Sequence, residues 1–406
     1  MRQSDDSEEP NQTNMNLKPL FLFALCAFFV SCNDDDSNYV PLVNYPAVTE
    51  TFGNQLDLNN LYNYANQFVP AYITRDNTAA NPVTDRGATL GRVLFYDKNL
   101  SADNSVSCAS CHIQADAFGD SRLTSTGVNG ASARHAMRLV NARYGNEARF
   151  FWDERAATLE LQTTQPIRNH AEMGFSGDDG APNIGVLLAK LQDIAYYQNL
   201  FEFVYGDSNV TEARMQLALA QFVRSITSFD SKYDLGRTFA PNNNVPFQTF
   251  TQQENQGKNL FNAPPVFDAN GNRTGGGVGC AGCHAAPEFD INPNIGNNGI
   301  IGSIGHPDVT EINNTRAPSL RDIMKQNGTF NGPFMHTGEF VTLDQVLAHY
   351  NNIALVPNLD QRLRPGGNAQ HLNLTVAEIS ALKAFLQTLS GNNVYTDPKW
   401  SSPFPQ

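Results

Sequence analysis

The pentapeptides Cys108-Ala-Ser-Cys111-His112 and Cys280-Ala-Gly-Cys283-His284 constrain this chain more than any other feature. C-x-x-C-H is the attachment signature of c-type haem. Each thiol pair adds across the vinyl groups of a porphyrin. Positions i, i+3 and i+4 share one helical face, so the following His can set its imidazole under the iron. The rival readings are a zinc knuckle and a redox dithiol. Zinc asks for four ligands in one closed shell, whereas these pairs lie about 170 residues apart and each carries its own His. The expectation is two covalently bound c-type haems, with His112 and His284 as iron ligands.

The ends of the chain bound where such a protein works. Lys18 precedes an apolar run from Leu20 to Val30, too short to span a bilayer and suited to the core of an export signal. Residues 1–31 read as a signal peptide of lipoprotein type, with Cys32 as the lipidated first residue and Cys26 as the competing position. Met15 is an alternative start, because the stretch before it is polar and acidic. The four remaining cysteines all belong to the two pentapeptides, which leaves none for a disulfide. Periplasmic placement, tethered to a bacterial membrane through that lipid, follows. The formal charge is −13, and about −11 without the signal. An acidic surface argues against nucleic acid and suits either plain solubility or steering of a basic redox partner.

The 406 residues, 41% of them apolar, suffice for two cores of ordinary size. Residues 32–84, rich in Asn, Pro and Tyr, read as a tether and wrapping segment. An N-terminal domain is expected over 85–239, a linker over 240–250 and a C-terminal domain over 251–392. Apolar spacing predicts helices over Gly87–Tyr96, Val186–Val204, Thr211–Phe229 and Gln252–Phe261. Another is expected over Leu374–Leu389, opened by the capping box of Thr375 and Glu378. Strand signals are few, and Pro264–Gly279 reads as a loop. Helix, C-x-x-C-H, loop and helix occur twice, so the fold class is all-α: two cytochrome c-like domains, each with one haem.

Further motifs carry a resemblance. Leu90-Gly91 with Leu94-Phe95, Phe151-Trp152-Asp153 with Arg155, and Glu172-Met173-Gly174 lie in the first half. Ala317-Pro318-Ser319-Leu320-Arg321 and Phe334-Met335-His336-x-Gly338 lie in the second. Together, over Gly87 to Leu389, the chain resembles the bacterial di-haem cytochrome c peroxidases and the related MauG-type enzymes. The resemblance implies a peroxidatic N-terminal haem and an electron-accepting C-terminal haem. It makes Met335 the distal ligand of the second haem, where a thioether opposite His284 raises the potential; adjacent His336 is the rival ligand. MauG-type enzymes resemble one another in a Tyr at this place, so Met335 points to the peroxidase branch. It also implies that Glu172 shuttles protons at the first haem, with Gln162 as a polar companion, both reaching the pocket from a loop because Pro166 interrupts any helix. Trp152 is implied to lie between the haems. Arg316 and Arg321 are candidates for haem propionates.

Two departures bear on regulation and metal content. Peroxidases of this group that need reductive activation resemble one another in a His on the loop after the first haem; Thr126-Gly127-Val128-Asn129-Gly130 has none. A five-coordinate first haem needing no activation is expected, with His135 and His170 as the possible substitutes. His135 also stands where the family resemblance places an Asn beside a calcium ion. An imidazole is a poor ligand for a hard cation, which makes calcium a doubtful third cofactor. His306, His349 and His371 read as structural. The expected reaction is reduction of hydrogen peroxide with electrons from a small cytochrome c or copper protein. The alternatives are a MauG-type oxidase acting on a protein or small molecule, and a non-enzymatic electron carrier. Homodimers are usual in the family, but no interface is legible in the sequence.

Overall fold

In the computed structural model, residues 44–146, 149–291, 295–306 and 309–405 are described. The expected signal, the Cys32 lipid site and the start of the tether lie outside them. The helices of the described residues are α1 (Pro46–Phe52), α2 (Asp85–Tyr96), α3 (Leu159–Thr163), α4 (Gln165–Arg168), α5 (Ile184–Gln192), α6 (Ala195–Tyr205), α7 (Glu212–Ser225), α8 (Lys232–Thr238), α9 (Gln252–Asn262), α10 (Leu343–Asn351) and α11 (Val376–Gln387). Local chemistry starts most of them. Thr84, Thr211 and Asn183 cap α2, α7 and α5 with side-chain oxygens, and α9 and α11 open on capping boxes, Thr251/Glu254 and Thr375/Glu378. The helix expected over Val186–Val204 is instead two, because Ile194 is extended (φ −89°, ψ 117°). That break lets Leu187 and Leu191 of α5 and Tyr197 and Phe201 of α6 all reach the core. The loop expected over Pro264–Gly279 contains a short antiparallel hairpin, β1 (Pro265–Phe267) with β2 (Arg273–Gly276). A second small pair, β3 (His284–Ala285) with β4 (Asp290–Ile291), follows the second pentapeptide.

The same helix crossing occurs twice. α2 lies on α7 where Gly91 meets the Ala218 carbonyl, with Phe222 Cβ 2.7 Å from where a Cβ would sit. α9 lies on α11 where Gly257 meets the Ala381 carbonyl, with Phe385 Cβ at 2.8 Å from the same position. Glycine is required at both because the backbones touch there. Each crossing anchors one of two apolar cores. Phe95, Phe118, Phe201 and Phe222 lie in the first, and Tyr233, Phe261, Phe289 and Phe385 in the second.

The connecting segments are packed rather than loose. The linker holds buried Phe247 and Phe250, and Lys258 of α9 donates to the carbonyls of Asn243 (2.5 Å) and Val245 (2.7 Å). The wrapping segment is fixed by Asp85, which accepts from the amides of Tyr64 (2.7 Å) and Ala65 (2.8 Å). Residues after 392 return to the first half. Trp400 is buried in its core and donates to Ser225 O at 3.0 Å, while Arg92 donates to Ser401 O at 2.6 Å.

Candidate haem sites and the seam between them

Both pentapeptides form a short helical turn. In the first, the amides of Cys111 and His112 donate to Cys108 O at 3.2 and 2.9 Å. In the second, Cys283 donates to Cys280 O at 3.1 Å before His284 enters β3. The four cysteines are unbridged. Each His is oriented by a carbonyl: His112 Nδ1 lies 3.1 Å from Phe118 O, and His284 Nδ1 lies 3.2 Å from Phe289 O. Phe118 and Phe289 are buried and hold φ of +58° and +53°. Side chains seldom adopt that region, so each bond rests on strained backbone. A second carbonyl lies beside each ring, that of Met137 near His112 and that of Pro318 at 3.1 Å from His284 Nδ1. With Nδ1 so engaged, Nε2 is the nitrogen left for a metal.

The match extends further. Phe150 N donates to Ala156 O at 2.9 Å and Glu154 N to Phe151 O at 3.2 Å; Phe334 N donates to Phe340 O at 2.7 Å and Gly338 N to Met335 O at 3.1 Å. Phe151 and Met335 hold φ of +74° and +70°. The two turns are the same structure, so Phe151 is the first-half counterpart of Met335, and Trp152 that of His336. The halves then interlock reciprocally. His135 N donates to His336 O at 2.8 Å, and Arg316 N donates to Trp152 O at 3.0 Å. The Trp152 and His336 rings meet at a tilt of 58° across this seam, with centroids 6.1 Å apart.

A cavity of about 510 Å³ opens beside the second pentapeptide, lined by Cys280, Cys283, His284, Met335 and Trp152 among others. Met335 is buried, and Asn298 Nδ2 lies 3.1 Å from its sulfur. His336, the rival, is turned away with Nε2 2.9 Å from Gly302 O. His135 lines this cavity too; its Nδ1 lies 3.3 Å from Leu123 O on the loop after the first pentapeptide, and burial pushes its pKa down to about 4.

At the first site Glu172 sits on the turn after α4, close enough for its charge to be felt by Cys108 and Cys111. Burial raises its pKa, and the Arg155 guanidinium pulls it back. The loop after the first pentapeptide clamps this turn: Val128 N donates to Glu172 O at 2.9 Å and Asn129 N to Ala171 O at 3.1 Å. Gly127 lies so near the Ala171 carbonyl that no side chain fits there. Gln162 is not on a loop as expected. It is half-buried on α3, because Pro166 sits in the first turn of α4, where a missing amide costs nothing, and divides two short helices. His170 is exposed, with Nδ1 3.3 Å from Ser176 Oγ.

The expected propionate arginines differ in fate. Arg321 does not line the cavity. It is fully buried, pairing with both Asp234 oxygens at 3.0 Å and with Glu288 at 3.3 Å, and donating to Pro287 O at 2.9 Å. Its guanidinium is spent on joining α8 to the segment after the second pentapeptide. Arg316 does line the cavity, where it pairs with Asp290 at 3.1 Å and bonds Arg149 O.

Residues 85–238 match the family model described as di-haem cytochrome c peroxidase. The methylamine utilization protein MauG of Methylophilus methylotrophus is 30% identical over 323 residues, covering 77% of this chain and 84% of its own. The chain belongs to the di-haem cytochrome c peroxidase and MauG family. The cytochrome c551 peroxidase of Nitrosomonas europaea is 26% identical over 330 residues, covering 77% and 83% of the two chains. Among solved structures, a MauG-like protein associated with microbial copper homeostasis matches with a TM-score of 0.64 and 27% identity, covering 83% of this chain and 99% of that one.

Members of this di-haem family are oxidoreductases that carry c-type haem, and the residues here suit that group. The cavity volume is ordinary for a cofactor site, and thiols, a carbonyl-oriented His and a thioether converge on it. Burial pushes the thiols of Cys108 and Cys280 up to about 12, unlike the lowered thiolate of a redox dithiol. Among the described residues no cluster of three His, Cys, Asp or Glu side chains is spaced to hold a metal ion, as a zinc knuckle would need. The sequence does not signal the parts played by Phe118, Phe289 and Phe151. Their roles lie in positive φ values and carbonyl directions, which residue type does not signal.

Proposed function

We propose that this chain reduces hydrogen peroxide to water, H2O2 + 2 e⁻ + 2 H⁺ → 2 H2O, with electrons from a small periplasmic cytochrome c or copper protein. The observation that carries the reading is the unequal pair Met335 and Phe151. One backbone turn presents a thioether beside the second pentapeptide, and its counterpart in the first half carries a phenyl ring, which cannot ligate iron. Held by Cys108, Cys111 and His112 and by Cys280, Cys283 and His284, c-type haem would supply one-electron transfer and, where no second side chain ligates it, activation of peroxide.

The chain's own residues divide the remaining work. Met335 and His284 flank the electron-accepting site. Trp152, anchored by its Nε1 on His135 O at 2.9 Å, places an aromatic ring on the seam between the halves. Glu172 holds and releases a proton at its carboxylate; burial shifts that group toward the range where a proton shuttle is effective. Gln162 is its polar companion. The first site is assigned no endogenous sixth ligand and no activation step. Periplasmic placement and a lipid at Cys32 belong to this proposal on the sequence signal alone.

Oxidation of a reduced small cytochrome c by peroxide tests the reading. The wild type turns over, and Glu172→Gln slows it by about 10²- to 10⁴-fold with haem content unchanged. Absence of turnover in a fully haem-loaded wild type overturns it, and an unaltered rate in the variant removes Glu172 from it. A second reading, oxidation of a protein or small molecule, is favoured by identity: 30% to the MauG relative against 26% to the Nitrosomonas peroxidase. It expects reaction with peroxide but no sustained turnover of reduced cytochrome.

A further inference from the structure

Arg138 differs from Arg316 and Arg321. Arg321 pairs with the carboxylates of Asp234 and Glu288, and Arg316 pairs with Asp290. Arg138 has no carboxylate within ion-pair distance among the described residues. Its Nε is buried without a hydrogen-bond partner, and its Nη2 reaches Ser319 O only at 3.4 Å. Burial pushes its pKa down to about 10 against the opposing pull of Tyr395 and Asp322, the behaviour of a dehydrated cation with no carboxylate in contact. The side chain nevertheless lines the cavity that holds Cys280, Cys283 and His284.

The internal repeat explains how a first-half residue arrives there. Arg138 follows Met137, whose carbonyl faces His112; Ser319 follows Pro318, whose carbonyl faces His284. The two positions are counterparts and meet at the seam. In the second half the position is closed locally, Ser319 Oγ donating to Glu288 O at 2.8 Å. In the first half the longer side chain crosses the seam. Gly119 leaves it room, since a Cβ there would stand 2.8 Å from Arg138 Cγ.

We propose that Arg138 binds a propionate carboxylate of the haem held by Cys280 and Cys283, a first-half cation reaching into the second-half site. The proposal rests on the reading of that cavity as a haem site. A guanidinium and a carboxylate pair through two parallel hydrogen bonds. The pair removes an uncompensated negative charge from beside the iron, which favours the ferrous state and raises the potential. Arg138 is therefore a positioning and potential-setting residue.

The test uses the haem-loaded protein, with Arg138→Gln and Arg138→Lys compared by haem content per chain and by spectroelectrochemical titration of each haem. The expected result for Arg138→Gln is two attached haems, since the thioether bonds do not depend on Arg138. The reduced-to-oxidised ratio of the haem held by Cys280 and Cys283 at fixed ambient potential should fall about tenfold, equivalent to about 59 mV for one electron. Arg138→Lys should recover part of the shift, keeping charge but losing the fork. A ratio within about twofold of wild type, with two haems attached and only thermal stability lowered, makes Arg138 structural and overturns the proposal. A wild type with a single attached haem instead overturns the site reading beneath it, so the two failures are distinct.

Discussion

Replacing Arg321 by Met removes the cation that joins α8 to the segment following the second pentapeptide. Arg321 is 0% exposed and makes two bonds to Asp234, one ion pair to Glu288 and bonds to the carbonyls of Pro287 and Ser228. Loss of one partner from a buried pair strands the other charge, at about 3–5 kcal/mol. Asp234 keeps other donors, Tyr72 Oη at 2.6 Å and Ser231 Oγ at 2.5 Å, which favours the lower end, about 3 kcal/mol. At roughly 2 °C per kcal/mol for a chain this long, the midpoint falls by about 6 °C. Thermal unfolding of the haem-loaded protein, followed at the haem absorbance and by far-ultraviolet circular dichroism, measures it. Lys383→Met is the contrast: its pair with Asp344 lies in solvent, with side chains 38% and 60% exposed, and should cost well under 1 kcal/mol. If Arg321→Met loses no more than Lys383→Met, the clasp contributes nothing net and the reasoning is refuted.

Glu288→Gln should alter the pH dependence of stability. Burial pushes Glu288 up to about 7 in the fold, against an ordinary value near 4.5, so the native state keeps a proton that the unfolded chain releases. Its stabilising effect is whole below about pH 4.5 and is lost as pH rises to about 7, at no more than about 1.4 kcal/mol per pH unit. The variant should therefore gain on wild type across that window in urea titrations; parallel slopes would count against the assignment. Gly257→Ala should force α9 off α11, since the new methyl overlaps the Ala381 carbonyl. A loss of about 1–3 kcal/mol outweighs the better helix propensity of Ala, whereas Gly275→Ala, which meets nothing within 4 Å, should be near neutral; equal effects would contradict the crossing geometry.

The helices α2, α7, α9 and α11 were legible because their starts are local: Thr84, Thr211, Thr251 and Thr375 each cap within three residues. The break at Ile194 was not, because apolar spacing runs through it and only the packing of two helix faces on one core selects the bend. Arg316 and Arg321 stand in one stretch of sequence and look alike there, yet Arg321 is consumed by Asp234, 87 residues earlier in the chain. Arg138, which lies in the cavity, had no signal at all.

By itself the amino-acid sequence determined where the two C-x-x-C-H pentapeptides stand and which imidazole accompanies each thiol pair, because that pattern is completed within five consecutive residues. It also determined the helices that carry the sites, since capping and apolar period act over a few residues. Only the tertiary structure decided that Phe151 is the counterpart of Met335, that His135 and Arg316 bond across to His336 and Trp152, and which arginine meets the cavity. Those facts depend on backbone torsions and on pairings between segments about 160 to 200 residues apart, where dehydration of a charge or a carbonyl is settled by what the fold brings beside it.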